Sequence, residues 1–422
     1  MHSVTNAIPT GTIASIPAKA HAHRALICAA LATSPSTILL SRTSKDIDAT
    51  MDSLRGLGAH VVYENKIVTV TPGPAPAKGN VVPHESGTTL RLLLPVAASI
   101  CNDVDVDAKG RLPDRPLEPM LGEMKAHGVT FSQDKPPFTM TGRLQGGQFS
   151  MVGDVSSQFF SGLLLAAPQI GLSTITSTTP LQSSDYVTLT TETMRDFGVE
   201  VEHTLPDTDI NEAFTVPFGA SFIGRDNYQI EGDWSNAAIW MVAAGMTGKP
   251  ITITGMNKNS VQADRRIMQV MIDAGCDVLW DGMNVTVTGR ASKPIHADLE
   301  QMPDMLPVMA ALACSIQGES SFIKGARLRL KESDRLVAVA NLVRDLGGTV
   351  REDGDDLYII GSGILKGGHG DCVNDHRLVM AGTLMALISE SPVTLKDSEA
   401  ITKSYPDFFE DWNLLGGNAQ PV

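Results

Sequence analysis

At five places in this chain a short polar or charged segment heads a long apolar run. Lys19 to Arg24 precede ALICAALA, Glu85 to Thr89 precede LRLLLP, and Ser156 to Gln158 precede FFSGLLLAAP. Pro303 and Asp304 precede MLPVMAALAC, and Asn374 to Arg377 precede LVMAGTLMAL. A helix that is apolar all round must be buried, and its head is where free backbone N–H groups and the positive end of the dipole can hold an anion. Cations cluster in the same segments and shortly beyond them: Lys19, Arg24, Arg91, Arg115, Lys331, Arg335, Arg377 and Lys403. Arginine's planar fork suits carboxylate and phosphate, whereas lysine acts as a point charge or proton carrier. The chemistry implied is recognition of small molecules bearing phosphate and carboxylate. On residue type alone, Ser156 and Ser157 read as a helix cap, Asp304 as another, and Glu332 in KESDR as a solvated helix start.

A repeated unit must position these groups. Six amphipathic segments, each with an acid near its start and a glycine at its end, run Asp46 to Gly58, Asp114 to Gly128, Asp185 to Gly198, Asp264 to Gly275, Asp334 to Gly347 and Asp407 to Gly416. The acid suits the positive helix start and the glycine the left-handed residue that ends it. Two β-rich runs around a polar turn follow the first five glycines, as in AHVVYENKIVTV and CDVLWDGMNVTV. The sixth copy is expected to lack them because the chain ends at Val422. The unpaired N-terminal runs SVTNAI and GTIASI are expected to supply them, tying the two termini into one lobe. Each unit also holds one of the buried helices and a short strand after it, such as STILLS, ITITG or PVTLKD. The expected fold is α/β: six βαβαββ-like units, three per lobe.

Composition narrows the function classes. A net charge of −14 argues against generic nucleic-acid or anionic-membrane binding, and aromatics at 5% leave little for base stacking. They also predict interiors of Ala, Leu, Val, Ile and Met rather than aromatic clusters. Cys28, Cys101, Cys276, Cys314 and Cys372 are scattered without metal-ligand spacing, so no metal site is expected and a reduced, cytoplasmic protein is. The first residues lack a cationic start and an apolar core, and no later stretch reaches 18 uncharged apolar residues, so neither a secretory signal nor a membrane span is expected. Neither a P-loop nor a G-x-G-x-x-G is present, which removes support for a kinase or dehydrogenase.

Over nearly its whole length the chain resembles the 3-phosphoshikimate 1-carboxyvinyltransferases, the EPSP synthase family. The motifs carrying the resemblance are PAKAHAHRALICAALA, SGTTLRLLLP, PDRP, GDVSSQFFSGLLLAAP, EGDWSNAA, MPD, RLKESDRL, NDHRLVM and TKSYPDFFE, in that order. KESDR followed by NDHR is the most specific pairing. The resemblance implies an inside-out α/β barrel architecture in two lobes, residues 1–17 with 228–422 and residues 18–227, closing over substrates in a cleft. It implies transfer of the carboxyvinyl group of phosphoenolpyruvate to the 5-hydroxyl of shikimate 3-phosphate, without a cofactor, by a monomer. The first lobe would carry the phosphoenolpyruvate side and the catalytic carboxylates, the second the acceptor phosphate side.

Residue by residue, the resemblance makes Asp304 the base toward the acceptor hydroxyl and Glu332 the proton donor to the methylene carbon, with Lys19 sharing proton transfer. Lys19, Gly87, Arg115, Gln158, Arg335, Arg377 and Lys403 would bind phosphoenolpyruvate, Gly87 by leaving room for its approach. Lys19, Ala20, Arg24, Ser156, Ser157, Gln158, Ser183, Asp304 and Lys331 would bind the acceptor. Arg91 is also readable as a structural residue behind Gly87, and His376 as an orienter of a phosphate oxygen. The chain departs from the family at Ala20, where Ser is common, and at Glu85, Ser184 and Arg327. Those departures keep two other readings open: transfer to a different anionic alcohol, and a non-catalytic paralogue that binds anions.

Overall fold

The computed structural model describes residues 1–205 and 212–422; residues 206–211 of the expected second lobe lie outside the described residues. Its contacts divide the chain into a continuous unit, Pro17–Ile230, and a split unit, Met1–Ile16 with Glu231–Val422.

Among the described residues the helices alternate between buried and amphipathic. In the continuous unit α1 (Lys19–Ala30) precedes α2 (Lys45–Gly56), α3 (Gly87–Ile100) precedes α4 (Met120–Ala126), and α5 (Ser157–Ile170) precedes α6 (Asp185–Asp196). In the split unit α7 (Trp234–Thr247) precedes α8 (Ile267–Asp273), α9 (Leu306–Ser315) precedes α10 (Arg335–Asp345), and α11 (His376–Met385) precedes α12 (Phe408–Leu414). The odd-numbered helices are the apolar ones, buried along most of their length in the core of their unit. Each of the six glycines that ends an amphipathic segment has a φ between 87° and 104°, a left-handed conformation that glycine adopts without a Cβ penalty.

Each repeat ends in a four-stranded sheet, and the order is the same in all six among the described residues. Ser36–Leu39, for example, pairs in parallel with Tyr228–Gln229 and antiparallel with Ile67–Thr71, which pairs with His60–Glu64. Helices inside and sheets outside, within each unit, give the inside-out α/β arrangement.

Four expectations need correction. The sixth repeat has its hairpin: Asn418–Pro421 and His2–Thr5 pair antiparallel, so the two chain ends take the places that one continuous hairpin fills elsewhere. The second N-terminal run goes elsewhere, as Gly11–Ala14 pairs in parallel with Ile251–Thr254 of the fourth repeat. The amphipathic segment from Asp114 is broken into a 3₁₀ turn at Leu112–Asp114 and the short α4, because Pro113, Pro116 and Pro119 lack the N–H a continuous helix requires. Fourth, the split unit does hold an aromatic cluster: Trp240 lies 5.8 Å from Trp412 and 6.0 Å from Phe408, ring centre to ring centre. A chain average of 5% hides it because the segment SYPDFFEDW concentrates these rings.

Candidate active site

In the split unit one guanidinium organises the charged residues. Arg335 opens α10 and is 1% exposed. Its Nη1 donates to Asp304 Oδ1 at 2.6 Å and its Nη2 to Glu332 Oε2 at 2.7 Å. Its Nε donates to Asp375 Oδ2 at 2.8 Å, and Nη2 also reaches Asp375 Oδ1 at 3.3 Å. Lys331 Nζ lies 3.0 Å from Asp304 Oδ1. The side chains of Asp304 and Glu332 remain 23% and 24% exposed, so both carboxylates combine a buried cation on one side with access on the other.

Asp304 sits in the 3₁₀ turn Pro303–Met305 that leads into α9, and its carboxylate makes no helix cap. The capping explanation of its position is therefore set aside in favour of the ion pairs. Burial alone would push the Asp304 carboxyl up, but Lys331, Arg335 and Arg377 outweigh burial and hold it well below the usual carboxylate range. For Arg335, burial disfavours the charge but Asp375, Glu332 and Asp304 together keep it cationic. Burial and the neighbouring arginines lower Lys331 in spite of Asp304.

Asp375 caps α11 by accepting from Arg377 N at 2.9 Å and also accepts from Ser333 Oγ at 3.0 Å. Arg377, 4% exposed, donates Nη1 to the Ser235 carbonyl at 3.0 Å, and Ser235 Oγ donates to the buried carboxylate of Asp264. Burial, reinforced by Asp304, pushes Asp264 up to about 6 against the pull of Arg377. Lys403, 8% exposed, donates to the Asn374 carbonyl at 2.8 Å. His376 is buried beside Asp375.

In the continuous unit the heads of α1, α3 and α5 carry the expected residues. Lys19 Nζ donates to Asp46 Oδ2 at 2.8 Å. Arg24 is 1% exposed and rests on neutral oxygens: Thr190 Oγ1 at 2.7 Å, the Ala20 carbonyl at 2.7 Å, the Tyr186 carbonyl at 3.0 Å and Ser161 Oγ at 3.3 Å. Burial brings it down to about 10, which leaves it cationic at neutral pH. Gln158 accepts from Arg91 Nη1 at 3.1 Å and donates to Thr88 Oγ1 at 2.9 Å. Arg91 also donates to the Pro116 carbonyl and stands over the Phe159 ring. Ser156 caps α5 with its hydroxyl. Ser157 is buried in the first turn of α5, and the buried Ser183 takes a left-handed φ of 55°. Ala20 is half-buried on the first turn of α1.

Gly87 makes room for a residue of this chain. A Cβ there would lie 2.6 Å from Arg115 Nη1, so its absence lets the Arg115 guanidinium lie against the start of α3. The side chain that approaches Gly87 here is Arg115, itself one of the residues expected to bind phosphoenolpyruvate.

Each unit thus brings together its own share of the expected residues. Asp304, Lys331, Glu332, Arg335, Arg377 and Lys403 belong to the split unit, Lys19, Ala20, Arg24, Gly87, Arg115, Ser156, Ser157, Gln158 and Ser183 to the continuous one. Sequence reasoning missed Asp375, Asp264, Ser235, Ser333 and Asp46. Asp375 was findable, since NDHR places an acid at the cap of an apolar helix two residues before a site arginine.

The model of the EPSP synthase (3-phosphoshikimate 1-carboxyvinyltransferase) family matches residues 7–412. The chain belongs to the EPSP synthase family. A 3-phosphoshikimate 1-carboxyvinyltransferase of Clostridium kluyveri is 36% identical over 412 residues, covering 96% of this chain and 95% of its own. Proteins of the same name are 34% identical in Methanocorpusculum labreanum, over 97% of both chains, and 35% identical in Pyrococcus abyssi, over 95% and 94%. The EPSP synthase structure from Acinetobacter baumannii superposes with a TM-score of 0.80 at 22% identity, covering 100% of this chain and 99% of that one, a likeness of fold. No helix among the described residues is long and apolar enough to cross a membrane.

Proposed function

We propose that this family member transfers the carboxyvinyl group of phosphoenolpyruvate to the 5-hydroxyl of shikimate 3-phosphate, with release of phosphate. The family match and the names of the relatives support the reaction. The observation that carries the residue assignment is the wedge of Arg335 between Asp304 and Glu332. Two partly exposed carboxylates on one buried cation are what an addition and elimination that moves a proton in and out requires.

Asp304 acts as base toward the acceptor hydroxyl. Its depressed pKa keeps it ionised and therefore able to accept a proton, and two incoming anionic substrates among Lys331 and Arg377 offset part of the cationic field, which raises its basicity at the moment of use. Glu332 delivers a proton to the methylene carbon as the hydroxyl oxygen bonds to the neighbouring carbon. It takes a proton back from the resulting methyl group as the carbon–oxygen bond to phosphate breaks, which restores the vinyl group in the product. Lys19, paired with Asp46, shares this proton traffic.

Lys19, Arg115, Arg335, Arg377, Lys403 and Gln158 hold phosphoenolpyruvate, and Gly87 leaves room for its approach. Ser156, Ser157, Ser183, Gln158, Ala20, Arg24 and Lys331 hold the acceptor, the serines through hydroxyl and backbone donors at the head of α5 and at the left-handed turn. Ala20 lacks the hydroxyl common in the family, a loss of about 1 kcal/mol of acceptor binding. The split unit is the side of phosphoenolpyruvate and the carboxylates, the continuous unit that of the acceptor phosphate. The reading extends to a monomer in the cytoplasm; five free, buried cysteines support a reducing compartment.

The test is phosphate release on mixing purified protein with both substrates. Release that needs both supports the reading. Release only with another anionic alcohol would change the acceptor, and none with any acceptor would leave an anion-binding paralogue.

A further inference from the structure

We propose that Asp375 is a positioning residue for this reaction: it fixes the Arg335 guanidinium in the orientation that holds Asp304 and Glu332 together. The inference rests on the reading of those two carboxylates as the acid–base pair.

Asp375 is fully buried and its carboxylate is engaged by four donors. Oδ2 accepts from Arg335 Nε at 2.8 Å and Ser333 Oγ at 3.0 Å, while Oδ1 accepts from Arg377 N at 2.9 Å and Arg335 Nη2 at 3.3 Å. An ionised carboxylate offers about four acceptor positions, so Asp375 has none to spare for a substrate and acts through its partners. Its grip on Arg335 is side-on, taking Nε and one edge of Nη2. A planar fork held by that edge can present its remaining N–H groups in one plane only, and those are the groups that reach Asp304 at 2.6 Å and Glu332 at 2.7 Å. The same carboxylate ties the KESDR segment, through Ser333, to the first turn of α11, through the Arg377 backbone. One buried acid therefore sets the register between the segment that carries Glu332 and the helix that carries Arg377.

A residue that merely stabilises the fold would lower the melting temperature and leave the turnover of folded protein alone. A residue acting through Arg335 makes a different prediction in a double-mutant cycle. Asp375→Asn keeps a cap acceptor but sets an amide N–H₂ or an uncharged oxygen against the guanidinium, and kcat should fall by about 10- to 100-fold with the acceptor KM changed less than about threefold. In an Arg335→Lys background, where the fork is gone, the same change should cost less than about threefold further. Losses that multiply across the two sites, or full turnover in folded Asp375→Asn, would overturn the proposal.

If Asp375→Asn does not fold, Ser333→Ala carries the test by deleting one donor to the same oxygen. Its loss of turnover, about threefold, should vanish in Arg335→Lys, and an equal loss in both backgrounds would overturn the proposal. Wild-type protein is run in the same phosphate-release assay. An inactive wild type overturns the reaction reading and this proposal with it, whereas multiplying losses in an active enzyme overturn the proposal alone.

Discussion

Two buried arginines of the continuous unit donate to uncharged oxygens: Arg24 to two hydroxyls and two carbonyls, Arg91 to the Gln158 amide and the Pro116 carbonyl. In the split unit Arg335 is surrounded by Asp304, Glu332 and Asp375. A cation held by neutral oxygens keeps its full charge for an incoming phosphate. One wedged among carboxylates spends its charge on them and holds them close. In the proposed reaction Arg24 therefore serves as an anion holder and Arg335 as the organiser of the acid–base pair; Arg377 and Lys403 of the split unit, which donate to the Ser235 and Asn374 carbonyls, resemble Arg24, and Lys19 of the continuous unit, paired with Asp46, resembles Arg335.

The sharpest way to break this contrast is to remove the carboxylates. Asp304→Ala and Glu332→Ala should each lower turnover by about 10²-fold or more in folded protein, while the KM for phosphoenolpyruvate stays level or falls, because Lys331 and Arg335 are left with charge to spare. A rise in KM with normal kcat would make either carboxylate a binding residue.

Next is the neutral-oxygen anchor. Arg24→Met removes four buried hydrogen bonds, although Thr190 still bonds Ser161 and the Tyr186 carbonyl, and should cost about 2–4 kcal/mol of stability by chemical denaturation as well as raising the acceptor KM. Unchanged stability would mean that the buried network contributes little. A smaller effect is expected from Gly87→Ala, whose methyl group would meet Arg115 Nη1 at 2.6 Å and must displace the guanidinium. The expected readout is a KM for phosphoenolpyruvate raised about tenfold with a smaller change in kcat, since about 1.4 kcal/mol of binding is tenfold in affinity.

The smallest effect concerns Asp264. Burial and Asp304 raise its folded pKa to about 6, above its ordinary 3.8, against Arg377 and Ser235. Between those values the folded chain keeps a proton that the unfolded chain releases, so this group's contribution to stability is lost as pH rises from about 4 through about 6. The stability of wild type relative to Asp264→Asn should fall over that interval in melting curves taken at a series of pH values. A constant difference would show that Asp264 does not titrate there.

Periodicity made the six repeats, the buried helices and their polar heads legible before any coordinates, because a 3.6-residue pattern with an acid at one end and a glycine at the other is a local signal. The resemblance supplied Asp304 and Glu332, which residue type alone reads as a cap and a solvated helix start. What stayed hidden depends on long-range closure. NAQP does not look like a strand and becomes one only because His2–Thr5 lies beside it. The contact between Gly87 and Arg115 closes over a helix and a strand, and the Asp375–Arg335 pair joins two motifs 40 residues apart. Local pattern registers each partner and says nothing of the pairing.

The central claim is that the Arg335-bound carboxylates move a proton onto and off the methylene carbon, and solvent deuterium tests it most directly. Product formed in D₂O from phosphoenolpyruvate and shikimate 3-phosphate should carry deuterium in its vinyl methylene group, with incorporation and turnover falling together in Glu332→Ala. Product made at the normal rate with no deuterium in that group would contradict the account.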